Sequence, residues 1–445
     1  MAEQSQMEKM AIEARKAARA VQGMSTARKN AALDAVHAQL LASKDAILAA
    51  NGEDRSKTKE AVDAGKASST LYKRLDLGGP KFDAVLQGVR SVAALQDEVG
   101  RVSLARELDD GLELYRVACP IGVICIIFEA RPEAAVQISA LAIKSANAVI
   151  LKGGKEAEHS NRALVEAIRA GLKEADVPEN VVQLVSTRGE IAELLKLEKH
   201  IDLVIPRGSN ELVRYITDNT RIPVLGHADG ICSTYVDSAA DVELAAKVVT
   251  DAKAQYPAVC NATEKLIVHR DVAATHLPTI GAALLAAGVT IKADEESMRY
   301  LPKDEKVIPV VPSDFRTEFL DLTIACRIVE SLDAAVDEIN TLGSHHTDCI
   351  VTQDTQAAER FMSNVDSANV YHNCSTRFAD GFRYGFGAEV GVSTTRTHSR
   401  GPVGMEGLLI YKYRLYGNGH IAAPYATGEK TFTHRKIEPK YRVEQ

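Results

Sequence analysis

The chain has 445 residues, of which 46% are hydrophobic and 25% are charged, and its formal net charge at pH 7 is −7. This length predicts two or more domains, and the composition is typical of a soluble globular protein. Positive and negative charges are mixed along the chain without a basic stripe that carries aromatic residues, which disfavours a nucleic-acid partner.

Membrane insertion and secretion are also disfavoured. The longest apolar stretch, residues 117–128, contains Pro120 and Gly122 and is too short to span a bilayer. The polar start of the chain predicts no signal peptide. The seven cysteines are odd in number and form no C-x-x-C pair. We therefore expect free thiols, a cytoplasmic location and no membrane partner.

The first hundred residues predict helices, in one of which Leu33, Val36 and Leu40 share a face. Asn51-Gly52 predicts that a helix ends there. Between residues 99 and 119 the pattern changes to two short strands around Asp109-Asp110-Gly111, which predicts a β-hairpin.

From residue 121 onward, buried apolar runs alternate with helical segments. The first series of predicted strands is 121–128, 148–151, 181–185 and 201–205. The second series is 233–237, 266–269, 289–291, 349–352 and 369–371. This alternation predicts an α/β protein with two doubly wound parallel-sheet domains. We expect the boundary between them near residue 230, in the segment 226–230.

Cys260 lies on a short connection between a predicted helix and a predicted strand, in the sequence Tyr-Pro-Ala-Val-Cys-Asn-Ala-Thr of residues 256–263. A thiol on such a connection is accessible yet held in place, which suits a covalent nucleophile. The alternative is a small buried hydrophobe, the commoner role of a lone cysteine.

Two turns follow predicted strands at the carboxyl edge of the first sheet, where parallel sheets bind ligands. Lys152-Gly153-Gly154-Lys155 is not a P-loop, but its glycines would admit a ligand and its lysines would attract phosphate. The alternative is a tight turn with solvated lysines. The second turn, 206–210, opens a helix whose N–H groups attract anions, although Ser209 also fits an ordinary helix cap.

Three other polar segments could bind a ligand. Arg131 ends the first core strand and either binds a substrate anion or pairs with a carboxylate. His345-His346-x-Asp348-Cys349 is rejected as a metal site, because adjacent histidines rarely face one centre, and no metal is expected. The loop 373–381 carries hydroxyls, a guanidinium and a carboxylate that suit a small charged substrate, the alternative being an ordinary surface loop.

Together these segments resemble one family. From about residue 8 to about residue 420, the chain is similar to the gamma-glutamyl phosphate reductases of the aldehyde dehydrogenase superfamily. The segments that carry this resemblance are 129–132 (Glu-Ala-Arg-Pro), 149–156 (Val-Ile-Leu-Lys-Gly-Gly-Lys-Glu), 205–208 (Ile-Pro-Arg-Gly), 260–261, 375–378 and 387–390.

The resemblance implies an aldehyde dehydrogenase-like fold and the NADPH-dependent reduction of L-glutamyl 5-phosphate to glutamate 5-semialdehyde, with release of phosphate, in proline biosynthesis. Cys260 would form a thioester, and Asn261 would help to stabilise the oxyanion. Hydrolytic relatives carry a general-base glutamate where this chain has Val-Leu-Gly-His-Ala at 224–228. The missing carboxylate fits a reductase that must not hydrolyse its thioester.

The resemblance also implies which residues bind the ligands. Lys155 replaces a glutamate of NAD-preferring relatives, so it favours the 2′-phosphate of NADPH. The residues implied for the cofactor are Lys152, Gly153, Gly154, Lys155, Gly208, Ser209 and Glu318. Those implied for the substrate are Arg131 and Arg207 for its phosphate, and Ser375, Thr376, Arg377 and Asp380 for its α-amino and α-carboxylate groups.

The implied domains are an NADPH-binding domain (1–100 and 117–230), a catalytic domain (231–404), oligomerisation strands (101–116 and 405–426) and a polar C-terminal tail (427–445), either disordered or lying on a neighbouring subunit. The implied partners are further copies of the chain, in a dimer or tetramer, and glutamate 5-kinase in transient contact. Two rivals stay open: an acylating aldehyde dehydrogenase that uses coenzyme A, and a catalytically silent cofactor-binding protein of the same fold.

Overall fold

The structure is a computed structural model that describes residues 5–185 and 189–439. Its helices are α1 (Gln6–Val21), α2 (Thr26–Ala42), α3 (Lys44–Asp63), α4 (Ser69–Arg74), α5 (Pro80–Ala94), α6 (Pro132–Lys144), α7 (Glu158–Glu174), α8 (Gly189–Leu194), α9 (Asn210–Asn219), α10 (Val242–Ala254), α11 (Arg270–Ala286), α12 (Leu332–Leu342), α13 (Thr355–Asn364) and α14 (Ala423–Ala426). Its strands are β1 (Val102–Asp109), β2 (Leu112–Pro120), β3 (Val123–Phe128), β4 (Ala148–Lys152), β5 (Val182–Val185), β6 (Leu203–Arg207), β7 (Cys232–Val236), β8 (Thr263–His269), β9 (Thr290–Ala293), β10 (Val307–Pro309), β11 (Thr323–Val329), β12 (Thr347–Val351), β13 (Asn369–His372), β14 (Val392–Ser393), β15 (Gly401–Pro402), β16 (Leu409–Tyr416) and β17 (Arg435–Lys436).

The chain divides into two compact units. The first comprises the described residues of 1–225, 386–391 and 403–445, and the second comprises 226–385 and 392–402. The second unit therefore begins at residue 226. Residues 386–391 belong to the first unit because Ala388 and Val390 pack into its core, and Val390 N donates to the Val403 carbonyl at 2.9 Å.

The first unit contains a parallel sheet with the strand order β5-β4-β3-β6. All six residues of β3 are buried, because their side chains alternate between two helix-covered faces. The strand order reverses at β3, so the carboxyl ends of β3 and β6 flank a topological switch point, where open α/β sheets bind ligands. The predicted α/β fold class is confirmed.

One helix-end prediction is wrong. Helix α3 continues through Asn51-Gly52 to Asp63. The buried Asn51 side chain donates to the Leu75 carbonyl at 2.8 Å and accepts from Leu77 N at 3.1 Å. Asparagine often ends a helix because its side chain hydrogen-bonds to the nearby backbone in place of the helical hydrogen bonds. The Asn51 side chain is occupied by its tertiary hydrogen bonds, so the helix continues.

The predicted hairpin is confirmed: β1 and β2 pair antiparallel on either side of Asp110-Gly111. It forms part of a sheet with the order β16-β2-β1-β17. Within the predicted tail, β17 pairs with β1 of its own chain. Residues 440–445 of that predicted tail lie outside the described residues.

The second unit contains a parallel sheet with the order β10-β9-β11-β8-β7-β12-β13. The five strands predicted here are confirmed as β7, β8, β9, β12 and β13, whereas β10 and β11 were not predicted. In this order β8, β7 and β12 are neighbours, so the connections that precede them meet at the amino edge of the sheet. None of the helices in the described ranges has both the length and the apolar composition needed to cross a bilayer.

Candidate active site

Cys260 lies in the second unit, on the connection between α10 and β8, as predicted. Its side chain is half-buried. The backbone of Gly230 packs directly against it: a β-carbon at Gly230 would lie 2.5 Å from Cys260 Cα and 2.6 Å from Cys260 Cβ. Only glycine permits this approach, so Gly230 fixes the position of the thiol.

Two imidazoles flank the thiol. Three atoms lie within 4.8 Å of one another: the Cys260 Sγ, one ring nitrogen of His227 and one ring nitrogen of His346. The two rings meet edge to face, with centroids 4.9 Å apart. His227 Nδ1 donates to the Val392 carbonyl at 2.8 Å, which leaves its Nε2 to act on the thiol. The arrangement is that of an activated cysteine nucleophile.

The electrostatics of this cluster favour the thiolate. Burial opposes ionisation of Cys260, but attraction to His346 and His227 and hydrogen bonding with the imidazoles lower its pKa well below the ordinary value. Burial likewise favours neutral His227, yet attraction to Cys260, hydrogen bonds to Cys260 and Val392, and attraction to Glu318 raise its pKa to about 9. Cys260 and His227 therefore stabilise each other as an ion pair.

The sequence reasoning missed both histidines. His227 lies in the segment interpreted only as a domain boundary, and His346 lies in the pair rejected as a metal site. The two adjacent histidines face different partners: His345 Nδ1 donates to the Asp366 carbonyl at 2.6 Å, whereas His346 lies beside Cys260. The signal that could have found them is their position, each a few residues before a strand of the second sheet.

Asn261 was predicted to stabilise the oxyanion. Its buried side chain donates through Nδ2 to the Ala379 carbonyl at 2.8 Å, so one amide N–H already ties the cysteine loop to residues 375–380. Its Oδ1 has no hydrogen-bond partner among the residues that the structure describes. The oxyanion role of Asn261 stays a prediction.

The residues predicted to bind the substrate's α-groups lie on the loop that follows β13. Ser375, Thr376 and Arg377 are buried, whereas the Asp380 carboxylate caps the next turn by accepting from Phe382 N and Arg383 N at 3.0 and 3.1 Å. Arg377 Nε donates to Gln255 Oε1 at 2.9 Å, just after α10. The loop therefore contacts the segment that carries Cys260.

Glu318, predicted to hold the nicotinamide ribose, lies in the second unit within electrostatic range of His227. It is also near a buried ion pair that the sequence did not reveal, between Lys253 Nζ and Glu264 Oε2 at 2.5 Å. Burial raises the pKa of Glu264 to about 7, against the attraction of Lys253. Glu318 thus belongs to a polar region of the second unit that is rich in titratable groups.

The predicted cofactor turn Lys152–Lys155 lies in the first unit. Lys152 is buried and its Nζ donates to the Gly153 carbonyl, whereas Lys155 is exposed. A β-carbon at Gly153 would lie 2.1 Å from Asn161 Nδ2, so a larger residue there would have to displace the Asn161 side chain. A narrow cleft beside the turn is lined by residues that include Gly153, Gly154, Asn161 and Val185.

The second predicted anion site, at Gly208 and Ser209, already holds a carboxylate. Glu129 Oε2 accepts from Ser209 N at 2.8 Å, at the start of α9, and a β-carbon at Gly208 would lie 2.5 Å from the same oxygen. Ser209 occupies the N-cap position without a side-chain capping bond. The start of α9 thus binds an anion, and that anion is the carboxylate of Glu129.

Arg131 and Arg207, predicted to bind phosphate, both lie in the first unit near Glu133. Burial raises the pKa of Glu133, and attraction to Arg131 and Arg207 opposes that rise. The two guanidiniums therefore share one neighbourhood beside the switch point of the first sheet, as binding a common anion would require.

Known proteins resemble this chain over nearly its whole length. The model of the aldehyde dehydrogenase family matches residues 1–298. The chain is 50% identical over 438 residues to a probable gamma-glutamyl phosphate reductase of Schizosaccharomyces pombe, with 97% of each chain covered. It is 49% identical over 432 residues to the gamma-glutamyl phosphate reductase of Acetivibrio thermocellus, with 97% of this chain and 98% of that one covered. The crystal structure of a gamma-glutamyl phosphate reductase from Thermotoga maritima superposes with a TM-score of 0.90 at 38% identity, covering 94% of this chain and 100% of that chain.

Proposed function

The chain belongs to the aldehyde dehydrogenase family, among its gamma-glutamyl phosphate reductases, and we propose that it reduces L-glutamyl 5-phosphate to L-glutamate 5-semialdehyde with NADPH and releases phosphate. The names of its relatives support a reductase step of proline biosynthesis. The observation that carries the proposal is Cys260 between two imidazoles, which lower its pKa well below the ordinary value of a thiol.

In the first step, the Cys260 thiolate attacks the acyl carbon of the substrate, the carbon–oxygen bond to phosphate breaks, and a thioester forms. Phosphate is a good leaving group and carries away the electron pair. Splitting the reduction in this way replaces one difficult step by two easier ones. The absence of a carboxylate at 224–228 supports a thioester that survives until it is reduced.

In the second step, the thioester carbon becomes a tetrahedral thiohemiacetal, which collapses to the aldehyde and expels the Cys260 thiolate. NADPH, when bound, would supply the hydride for this reduction. Protonated His227 favours expulsion, because it hydrogen-bonds and attracts the departing thiolate. Asn261 and the Cys260 backbone N–H are the proposed donors to the oxyanion.

The residues of the first unit fit a nicotinamide dinucleotide. Ser209 N, at the start of α9, donates to the anionic Glu129 Oε2 at 2.8 Å, and a pyrophosphate oxygen would need such a donor. Lys152, Gly153, Gly154 and Gly208 would hold the phosphates and ribose, with Glu318 on the nicotinamide ribose. The exposed Lys155 would attract the 2′-phosphate and so favour NADPH over NADH.

For the substrate, we propose Arg131 and Arg207 for the phosphate group and Ser375, Thr376, Arg377 and Asp380 for the α-groups. Arg377 has the best support, because it is buried on the loop that contacts Asn261. The carboxylate of Asp380 is partly used by its own turn.

The proposal includes a cytoplasmic homo-oligomer, either a dimer or a tetramer. Strand β16 lies at the edge of its antiparallel sheet and exposes large apolar side chains, as an unpaired edge that joins another copy would. These residues are Ile410, Tyr411, Tyr413, Leu415 and Tyr416. Transient contact with glutamate 5-kinase would fit a labile acyl phosphate that passes between two enzymes.

The test is the reverse reaction, in which glutamate 5-semialdehyde, phosphate and NADP⁺ are mixed and absorbance of the reduced nicotinamide is recorded. We expect turnover that requires phosphate, and we expect Cys260→Ser to abolish it while NADPH binding persists. Turnover by Cys260→Ser would refute the role of Cys260 as the nucleophile. A requirement for coenzyme A in place of phosphate would favour the acylating aldehyde dehydrogenase class instead.

A further inference from the structure

A second arginine lies beside Arg377 on the same loop. Arg383 Nη1 donates to the main-chain carbonyl of Arg377, and Arg377 Nε donates to the neutral amide oxygen of Gln255. Across 5–185 and 189–439, neither guanidinium has a carboxylate oxygen within 4.0 Å. The loop therefore presents two cations that donate hydrogen bonds to neutral oxygens and contact no carboxylate within the described ranges.

This pair of cations lies against the nucleophile's own segment. The loop is tied to Asn261, the residue after Cys260, by the 2.8 Å hydrogen bond from Asn261 Nδ2 to the Ala379 carbonyl. It is tied a second time at Gln255, which follows α10 and precedes Cys260. An anion that bridges the two guanidiniums would thus be held close to the reacting cysteine.

The electrostatics support an external anion. Arg377 is buried, and burial together with repulsion from Arg383 lowers the pKa of its guanidinium against the attraction of Cys260, Asp380 and Asp251, although an arginine stays charged. A buried cation without a carboxylate in contact is costly, and a second cation nearby adds to that cost. A carboxylate that accepts from both guanidinium forks would offset both effects.

We propose that Arg377 and Arg383 together bind the α-carboxylate of the substrate, with Arg383 as a specificity-determining residue that the sequence patterns did not identify. This inference rests on the proposed function. It makes Arg377 and Arg383 the reason that the site selects an α-amino acid over a simple acyl phosphate or aldehyde.

The experiment compares two aldehydes in the reverse reaction: glutamate 5-semialdehyde, and 4-aminobutanal, which lacks only the α-carboxylate. For Arg383→Gln we expect kcat/KM for glutamate 5-semialdehyde to fall about 10- to 100-fold, the range for a lost charge-assisted hydrogen bond. We expect kcat/KM for 4-aminobutanal and the KM for phosphate to stay unchanged, and Arg383→Lys to restore part of the loss. The control is Arg360→Gln, an exposed arginine paired with Asp333 in the same unit.

Other outcomes would overturn the inference. An equal loss for both aldehydes would assign Arg383 a merely structural role, and a raised KM for phosphate would assign the pair to the phosphate group. No loss with either aldehyde would remove Arg383 from the site.

A second readout does not depend on turnover, which keeps the inference separable from the proposed function. L-glutamate is expected to protect Cys260 from iodoacetamide better than 4-aminobutanoate does, and Arg383→Gln is expected to erase that difference. Equal protection by both compounds in the unsubstituted protein would overturn the inference. Absence of turnover with either aldehyde, despite selective protection by L-glutamate, would refute the proposed reaction and leave the carboxylate site supported.

Discussion

Replacing His227 with asparagine should make Cys260 a slower nucleophile at neutral pH. Asparagine is the conservative choice, because its Nδ2 can still donate to the Val392 carbonyl as His227 Nδ1 does. The substitution removes the imidazole whose attraction and hydrogen bond lower the pKa of Cys260. The fold should be retained, since His227 is only half-buried.

The expected magnitude follows from the fraction of thiolate. A thiol returned to an ordinary pKa of about 8.5 is only about 3% ionised at pH 7, which is about 30-fold less than a full thiolate. A more basic thiolate is intrinsically more reactive, which offsets part of this loss. We therefore expect alkylation at pH 7 to slow by about 5- to 30-fold, toward the upper value when His346→Asn is added.

The unsubstituted protein and the variant should also differ in how the alkylation rate of Cys260 depends on pH. In the unsubstituted protein the pKa of Cys260 lies well below its ordinary value, so the alkylation rate should change little with pH around neutrality. In the variant the rate should rise steeply with pH toward about 8.5. The stabilisation that protonated His227 contributes is complete below its unfolded pKa of about 6.5 and is lost as the pH rises through about 9.

The assay is the rate of iodoacetamide labelling of Cys260, followed by mass spectrometry of its peptide from pH 5.5 to pH 9.5. His345→Asn is the matched control, because His345 is the neighbour of His346 but turns to the Asp366 carbonyl. A variant with the same flat profile as the unsubstituted protein would refute the role of His227.

Three further predictions concern the glycine and charged residues around the two candidate sites. Gly230→Ala should lower kcat by about 100-fold, because the added β-carbon displaces Cys260. The control is Gly52→Ala in α3, where the added β-carbon meets open space. It should keep full activity and raise the free energy of unfolding by about 0.5–1 kcal/mol. Equal activities of these two variants would contradict the close approach. Lys155→Glu should shift the ratio of kcat/KM values from NADPH toward NADH, and an unchanged ratio would remove the argument for the 2′-phosphate. Glu129→Gln should lower the KM for NADPH, since the carboxylate on Ser209 N competes with an incoming anion; a raised KM would show that Glu129 assists the cofactor.

Local patterns were sufficient for most elements. Continuous apolar runs identified β3 and β4, and Asp-Gly identified the turn between β1 and β2, because these features depend on neighbours a few residues apart. The same local reasoning failed at Asn51, where hydrogen bonds to Leu75 and Leu77 keep the residue inside α3. The low helix propensity of asparagine is overcome when tertiary hydrogen-bond partners satisfy its side chain.

Motif reasoning likewise identified Cys260, a residue whose chemistry is recognisable from its own loop, and the resemblance to the reductase family is confirmed. It could not find His227 or His346, which are separated from Cys260 by 33 and 86 residues. The two histidines and Cys260 meet because each precedes one of the neighbouring strands β8, β7 and β12. The residues that precede a strand do not reveal which strands will be its neighbours. The sequence by itself thus identified Cys260 as the candidate nucleophile, whereas the tertiary structure decided that its pKa is lowered, because ionisation depends on which charges the fold brings within a few ångströms.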